Sequence, residues 1–298
     1  MKPLTIVLSA CLAALTMSSV HAGDPEWTQP QKPFRIYGNT YYVGTRGLSA
    51  ILITSSQGMV LIDGTLPENA PQIEANIKAL GFRLTDVKLI LNTHAHVDHA
   101  GAIATLARDS GARVEASEAG AHALMLGGKD PEDPQYGETS AFTPIAHVGV
   151  VRDGGVVRVG ELALTAHYTP GHTPGSTTWT WQACDAGRCE NMVYADSLSP
   201  ISAEGFRFTD DAAHPHRVED FQHGIDVIAA LPCDILMTPH PGQSDFLDKV
   251  ARRDAGMRPD PLIDTGACRS YAADGRAKLE ARLAKERAAT TSKGKPSL

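Results

Sequence analysis

No run of lysine or arginine stands in the chain outside its last residues, and the formal net charge is −7. Nucleic acid and anionic membrane surfaces both demand clustered cations, so neither is expected as a main partner. Past the N-terminal stretch, no segment is long and apolar enough to cross a bilayer. Cysteine is scarce, with 5 in 298 residues. No two of them have the two-residue spacing of a zinc knuckle, which argues against a cysteine-held metal. Gly175-Ser176 lacks the frame of a nucleophile elbow, so an acyl-enzyme route is discounted. No break in composition marks a linker.

The first residues read as an export signal. Lys2 supplies the positive start, residues 4–17 are apolar but short, and Val20-His21-Ala22 offers small residues at the cleavage positions. Cleavage is expected after Ala22, giving a signal peptide over residues 1–22 and a single domain over residues 23–298. A competing lipoprotein box ends at Cys11, but its apolar run is very short. Loss of Cys11 leaves an even number of cysteines, which suits an oxidising compartment. Of the three possible pairings, Cys184–Cys189 with Cys233–Cys268 is favoured. Asp185 and Gly187 form a turn between the first two, so the ends of a hairpin meet there. Each bridge is expected to add about 2–4 kcal/mol of stability.

Short alternating or apolar runs open the mature chain after a Pro- and Gln-rich arm at residues 23–33, which is expected to be loosely held: FRIYG, TYYVG, SAILITS and GMVLIDG. Turn residues divide them, which predicts a meander of strands. A helix with Ile73, Ile77 and Leu80 on one face follows and stops at Gly81. The next strand is expected at residues 87–93 and the next helix from about 99 to 110. A strand in RVEAS and a short helix in EAGAHALML come next. Residues 129–144 form a long Pro- and Gly-rich loop, and long loops inside compact chains are often functional. Strands are expected again at 148–151, 156–159, 162–168, 177–182, 192–195 and 235–238, with helices at 218–231 and 264–285. The tail from about 286 reads as polar and frayed. Strands lead and helices follow, twice, so the fold class is α/β, with two sheets inside and helices outside.

LNTHAHVDHAGA carries the chemistry. His94 and His96 are two apart in extended chain just past a strand, where alternate side chains project to one side. Asp98 and His99 lie where the chain turns into a helix and would face a neighbouring point. Imidazole nitrogen and carboxylate oxygen are ligands that zinc favours. Two ions side by side, about 3.5–4 Å apart, fit this pattern. His172 in TPGHTPGS and His240 in MTPHPGQS each follow a strand in a stiff Pro/Gly-framed loop, so they can complete the two sites. His122, His147, His167, His214, His216 and His223 lack such framing and read as surface or capping residues.

THAHVDHAGA, PGHTPGS, YADSLS and TPHPG, in this order, resemble the metallo-β-lactamase superfamily over nearly the whole mature chain. The resemblance implies an αββα four-layer sandwich. Its H-x-H-x-D-H motif is specific for fold and metal, less so for substrate, since glyoxalase II enzymes, lactonases and phosphodiesterases share it. Ser197 stands where some β-lactamases of the superfamily carry a cysteine ligand, which is similar to subclass B3. That resemblance implies one zinc on His94, His96 and His172 and a second on Asp98, His99 and His240, and it too points to a Cys233–Cys268 bridge. It also implies a periplasmic enzyme that opens the β-lactam ring of penicillins, cephalosporins and carbapenems with a zinc-bound hydroxide and so confers antibiotic resistance. Asp98 is expected to orient the nucleophile or pass a proton. Ser197, Ser199 and Gln135 are candidate substrate contacts, and a monomer is expected. Asp196 is the residue that bridges two metals in lactonase- and glyoxalase-like relatives, so a dinuclear zinc hydrolase of lactones or other esters is the alternative.

Overall fold

The computed structural model describes residues 24–293, so the expected signal peptide and Cys11 lie outside the described residues. Four strands, β1 (Phe34–Tyr37), β2 (Thr40–Tyr42), β3 (Ile51–Ser55) and β4 (Gly58–Ile62), form the expected antiparallel meander. Helix α1 (Ala70–Ala79) then crosses over to β5 (Val87–Leu91), which pairs parallel to β4. Helices α2 (Val97–Ala100) and α3 (Ile103–Ser110) lead to β6 (Arg113–Ala116), and α4 (Glu118–Met125) leads through a long loop to β7 (Val148–Val150). These strands make one seven-stranded sheet in sequence order.

The second sheet is five-stranded, ordered β12-β11-β10-β9-β8. Strands β8 (Val156–Val159), β9 (Leu162–Tyr168), β10 (Thr177–Asp185) and β11 (Arg188–Tyr194) run antiparallel to their neighbours. Helix α5 (Arg217–Ala230) crosses to β12 (Ile235–Met237), which is parallel to β11. Helices α6 (Phe246–Asp254) and α7 (Ala267–Lys293) end the fold.

The strand period of two sorts the apolar residues into layers. In β3, Ile51 and Ile53 face the second sheet while Leu52 faces α1, and in β5 Leu89 and Leu91 oppose Ile90 in the same way. Trp179, Trp181, Met192 and Tyr194 fill the space between the sheets from the other side. Val193 and Leu236 turn outward to Phe221, Ile225 and Leu279 of the C-terminal helices. Both sheets are thus covered on both faces, which is the αββα order expected, and the two share one central core. Strands buried on both faces read as unbroken apolar runs, as GMVLI does and as LIL of β5 does after the exposed Lys88.

Both favoured disulfides are present, Cys184–Cys189 and Cys233–Cys268. Cys184 and Cys189 face each other across the β10–β11 pair. That bridge carries the hairpin further than the sequence suggested, to Asp185 and Arg188.

Four expectations need correction. The helix placed at 99–110 is two helices, because Gly101 allows a sharp turn against Pro67 that a Cβ would block. Residues 246–254 form a helix that the sequence reading passed over. The Pro- and Gln-rich arm is pinned, with the Trp27 carbonyl accepting from Thr45 Oγ1 and Asn69 Nδ2, each at 2.9 Å. The tail is helical to Lys293 instead of fraying at 286. Leu279, Leu283 and Glu286 recur at helical spacing and are buried, and Glu286 accepts hydrogen bonds from Thr209 N (2.9 Å) and Arg282 Nε (2.6 Å).

Candidate metal centre

The site is assembled at the ends of β5, β9 and β12. Asp63, just past β4, holds the first turn of the ligand loop. It accepts hydrogen bonds from Asn92 Nδ2 (2.9 Å), Thr93 N (2.8 Å), Thr93 Oγ1 (2.8 Å) and Tyr194 Oη (3.0 Å). Trp179 Nε1 donates to the Asn92 carbonyl at 3.0 Å, so this turn is fixed from both sheets. His94 emerges from it, His96 stays extended as the residue before α2, and the single turn of α2 presents Asp98 and His99 together.

His172 stands on the loop between β9 and β10. Gly171 before it has φ +147°, and a Cβ there would lie 2.6 Å from the Phe221 ring, so only glycine lets the loop pass. His240 follows β12, where Thr238 Oγ1 donates to the His240 carbonyl at 2.8 Å and the Pro239 carbonyl accepts from Ser49 N at 2.8 Å.

All six expected ligands come together, in two trios. His94, His96 and His172 bring one nitrogen each within 4.8 Å of the others, and Asp98, His99 and His240 do the same with their ligand atoms. The rings of His94 and His99 are 4.4 Å apart, so the trios adjoin. In the second trio the ligand atoms are 3.1 Å (Asp98–His99), 3.3 Å (Asp98–His240) and 3.2 Å (His99–His240) apart. Atoms bound at zinc's usual distance in a tetrahedron sit about 3.3 Å from one another. The spacing is that of a coordination shell.

The outer ring nitrogens tell the same story. His94 Nδ1 donates to Asp196 Oδ1 at 2.7 Å, His96 Nε2 to Asp133 Oδ2 at 2.8 Å, and His172 Nδ1 to the Ser199 carbonyl at 2.8 Å. Each bond fixes a tautomer and leaves the other nitrogen as a lone pair for the centre of the trio. His94 Nε2 is buried with no protein partner, a cost that a bound cation would remove. The donor set therefore fits two divalent cations.

Electrostatics favours the neutral imidazole at His94 and His172 and the carboxylate at Asp98, but not the neutral form of His96. Burial, then the neighbouring His99 and His96, push the His94 imidazole well below its ordinary range. Burial, His94 and His96 lower His172 to about 3. Burial lowers His96 too, but the Asp133 carboxylate outweighs it and the group ends above its usual value. Burial raises Asp98, but His99 and His240 outweigh it and hold the carboxyl well below the carboxylate range.

The candidate substrate residues border the trios. Ser197 is buried and its hydroxyl has no protein partner. Ser199 is partly exposed and gives its carbonyl to His172. Gln135 is partly exposed on the long loop, its backbone N–H donating to Asp133 Oδ1 at 2.7 Å. Asp196 lies in neither trio; its Oδ1 accepts from His94, and its Oδ2 is buried with no protein partner.

Asp133 was hidden among the charges of KDPEDPQYGETS, where nothing local separates a buried carboxylate from a solvated one. Trp27 was missed for the same reason and has its ring 5.5 Å from that of His240. His216, read as a surface residue, is exposed and groups with the equally exposed Asp211 and Glu219.

Residues 43–186 match the family model described as the metallo-beta-lactamase superfamily. Among solved structures, the chain is 49% identical to Rm3 metallo-beta-lactamase, with a TM-score of 0.85 over 88% of this chain and 97% of that one. It is 50% identical to MEM-A1, a subclass B3 metallo-beta-lactamase isolated from a soil metagenome library, with a TM-score of 0.85 over 88% and 99% of the two chains. A hydroxyacylglutathione hydrolase of Bradyrhizobium sp. (strain BTAi1 / ATCC BAA-1182) is 36% identical over 136 residues, 45% of this chain and 42% of that protein. The chain thus spans less than half the length of that relative.

Proposed function

Because the chain belongs to the metallo-β-lactamase superfamily, with subclass B3 enzymes among its full-length structural likenesses, we propose that it is a periplasmic, zinc-dependent β-lactam hydrolase that confers antibiotic resistance. The observation that carries this reading is the pair of adjoining trios, complete in all six side chains. In this assignment His94, His96 and His172 hold one zinc and Asp98, His99 and His240 a second. When bound, the two cations supply Lewis acidity toward a carbonyl and bring a water's pKa near neutrality.

The protein's own residues do the rest. Asp98, kept as a carboxylate by His99 and His240, orients the attacking water and relays its proton. Ser197 and Ser199 donate hydrogen bonds to the substrate carboxylate. Gln135, on a loop held by Asp133, reaches the carbonyl or a side group. Export as a cleaved precursor agrees with two disulfides. Among the described residues no helix is long and apolar enough to cross a membrane.

The test is hydrolysis of a carbapenem and a penicillin by the purified mature protein, with zinc and with a chelator. Ring opening that the chelator abolishes is expected. His94→Ala and His240→Ala are each expected to lose hydrolysis by at least a hundredfold while keeping the wild-type circular dichroism. Full zinc occupancy without ring opening would move the assignment to lactones or esters, and full activity in either variant would remove the ligand assignment.

A further inference from the structure

Asp133 is neither a trio member nor a candidate substrate contact itself, yet it is 6% exposed and bonded on both oxygens. One oxygen accepts from the His96 ring, the other from the backbone N–H of Gln135. The next residue, Pro134, accepts a hydrogen bond from Ala203 N at 2.8 Å. Glu138 Oε1 accepts from Glu204 N at 2.6 Å. The segment around Ala203 leads back to Ser199, whose carbonyl accepts from His172 Nδ1 at 2.8 Å. The path closes: His96, Asp133, Pro134, Ala203, Ser199, His172. Its two ends are ligands of the same trio.

The loop between α4 and β7 is also held from outside by the Ala203 and Glu204 backbone and by Arg217 Nη2, which donates to the Glu132 carbonyl at 3.0 Å. It contains no regular element, and Tyr136 is 51% exposed. Glu132 adds an ion pair to Arg217 at 2.6 Å, but its own side chain is 71% exposed, and such pairs contribute little. Asp133 is the buried carboxylate of this loop that bonds a member of the trio.

We infer that Asp133 is a positioning residue that couples metal occupancy of the His94–His96–His172 trio to the order of both rim loops, residues 129–144 and 199–207. The inference rests on the reading of that trio as one metal's ligands. Through Oδ2, Asp133 turns the Nδ1 lone pair of His96 toward the metal. Through Oδ1, it sets the backbone that presents Gln135. A cation that orders His96 and His172 thereby orders the loops that carry Gln135 and Ser199. Linkage makes the effect reciprocal: loops that close more readily on the loaded site must raise its metal affinity by the same factor.

The test uses the full mature protein, wild type and Asp133→Asn. Asparagine has one acceptor oxygen where two are used, so one of the two bonds is lost. Zinc affinity is measured by competition with a chromophoric chelator, and amide hydrogen exchange is followed with and without zinc. In the wild type, zinc is expected to slow exchange in 129–144 and 199–207 more than in the sheets, and chelation is expected to release it. In Asp133→Asn, one of the two zinc affinities is expected to fall about 10–100-fold, the usual cost of removing a partner from a ligand's outer nitrogen, and zinc-dependent protection of 129–144 is expected to disappear. Unchanged affinity with unchanged protection overturns the inference. If the variant folds poorly, the wild type still decides, because loop exchange that ignores zinc is equally fatal. Neither readout involves a β-lactam, so wild-type turnover judges the proposed function separately.

Discussion

Six ligand side chains within reach of one another are costly to bury unless most of them are uncharged. His172 has burial, His94 and His96 pressing it down to about 3, and His94 is pressed in the same direction. The sign follows directly. An imidazole with the ordinary pKa near 6.5 is about 97% protonated at pH 5, whereas His172 stays neutral there and keeps its lone pair. His96, raised by Asp133, holds its proton to higher pH than usual and must release it when a cation arrives. Histidine ring nitrogens observed by NMR in the metal-free protein are therefore expected to separate. His172 and His94 should not move between pH 8 and pH 5, and His96 should titrate above 6.5. A His172 signal that titrates near 6.5 would contradict the packing of the trio. At this scale the sequence was legible where ligand types crowd, from His94 to His99, and at the framed loops of His172 and His240. Asp133 was not legible, because its role depends on a ring 37 positions away and on no local pattern.

At the scale of elements, loops do the chemistry and strands aim them. β5, β9 and β12 were all readable, β9 from its alternation of buried and half-buried positions and β5 and β12 from their apolar runs. Their pairing order was not, since nothing in VKLIL says that it lies between β4 and β6. Helix ends were less legible than strands: α7 runs on because Glu286 pairs with Arg282 one turn before it and accepts from Thr209, a partner set by tertiary packing. The two disulfides act on elements of different span. Cys184–Cys189 closes a separation of 5 residues within one hairpin, and Cys233–Cys268 closes 35, tying the approach to β12 to the start of α7. Chain entropy makes the longer loop the more stabilising, by about 4 against about 2 kcal/mol. Urea unfolding at fixed zinc is expected to show a larger loss for Cys233→Ser with Cys268→Ser than for Cys184→Ser with Cys189→Ser. The reverse order would mean that native packing around β12, rather than loop closure, dominates.

Across the whole molecule the metal trios sit where both sheets end. β5 belongs to the seven-stranded sheet and β9 and β12 to the five-stranded one, so an unfolded chain cannot gather the six ligands. Cations that bind only the folded state stabilise it by mass action, about 2.7 kcal/mol for each site at a free concentration one hundred times its Kd. The metal-free protein should still fold. Its central core of Ile51, Leu89, Trp179 and Tyr194 and its outer layers are built of apolar side chains and include none of the six trio residues, and two disulfides restrain the unfolded chain. Metal is thus expected to add stability to a fold that already exists, unlike a zinc finger, which is unfolded without it. Calorimetry across a zinc series should show one cooperative transition that moves upward with free zinc and settles at a lower, finite temperature in excess chelator. A midpoint independent of zinc would deny that the two sheets meet around a cation. Loss of the transition in chelator would deny that the core is sufficient. The expected middle result would place the metals as occupants of a prebuilt site, ordered to their last few ångströms by the loops that also meet the substrate.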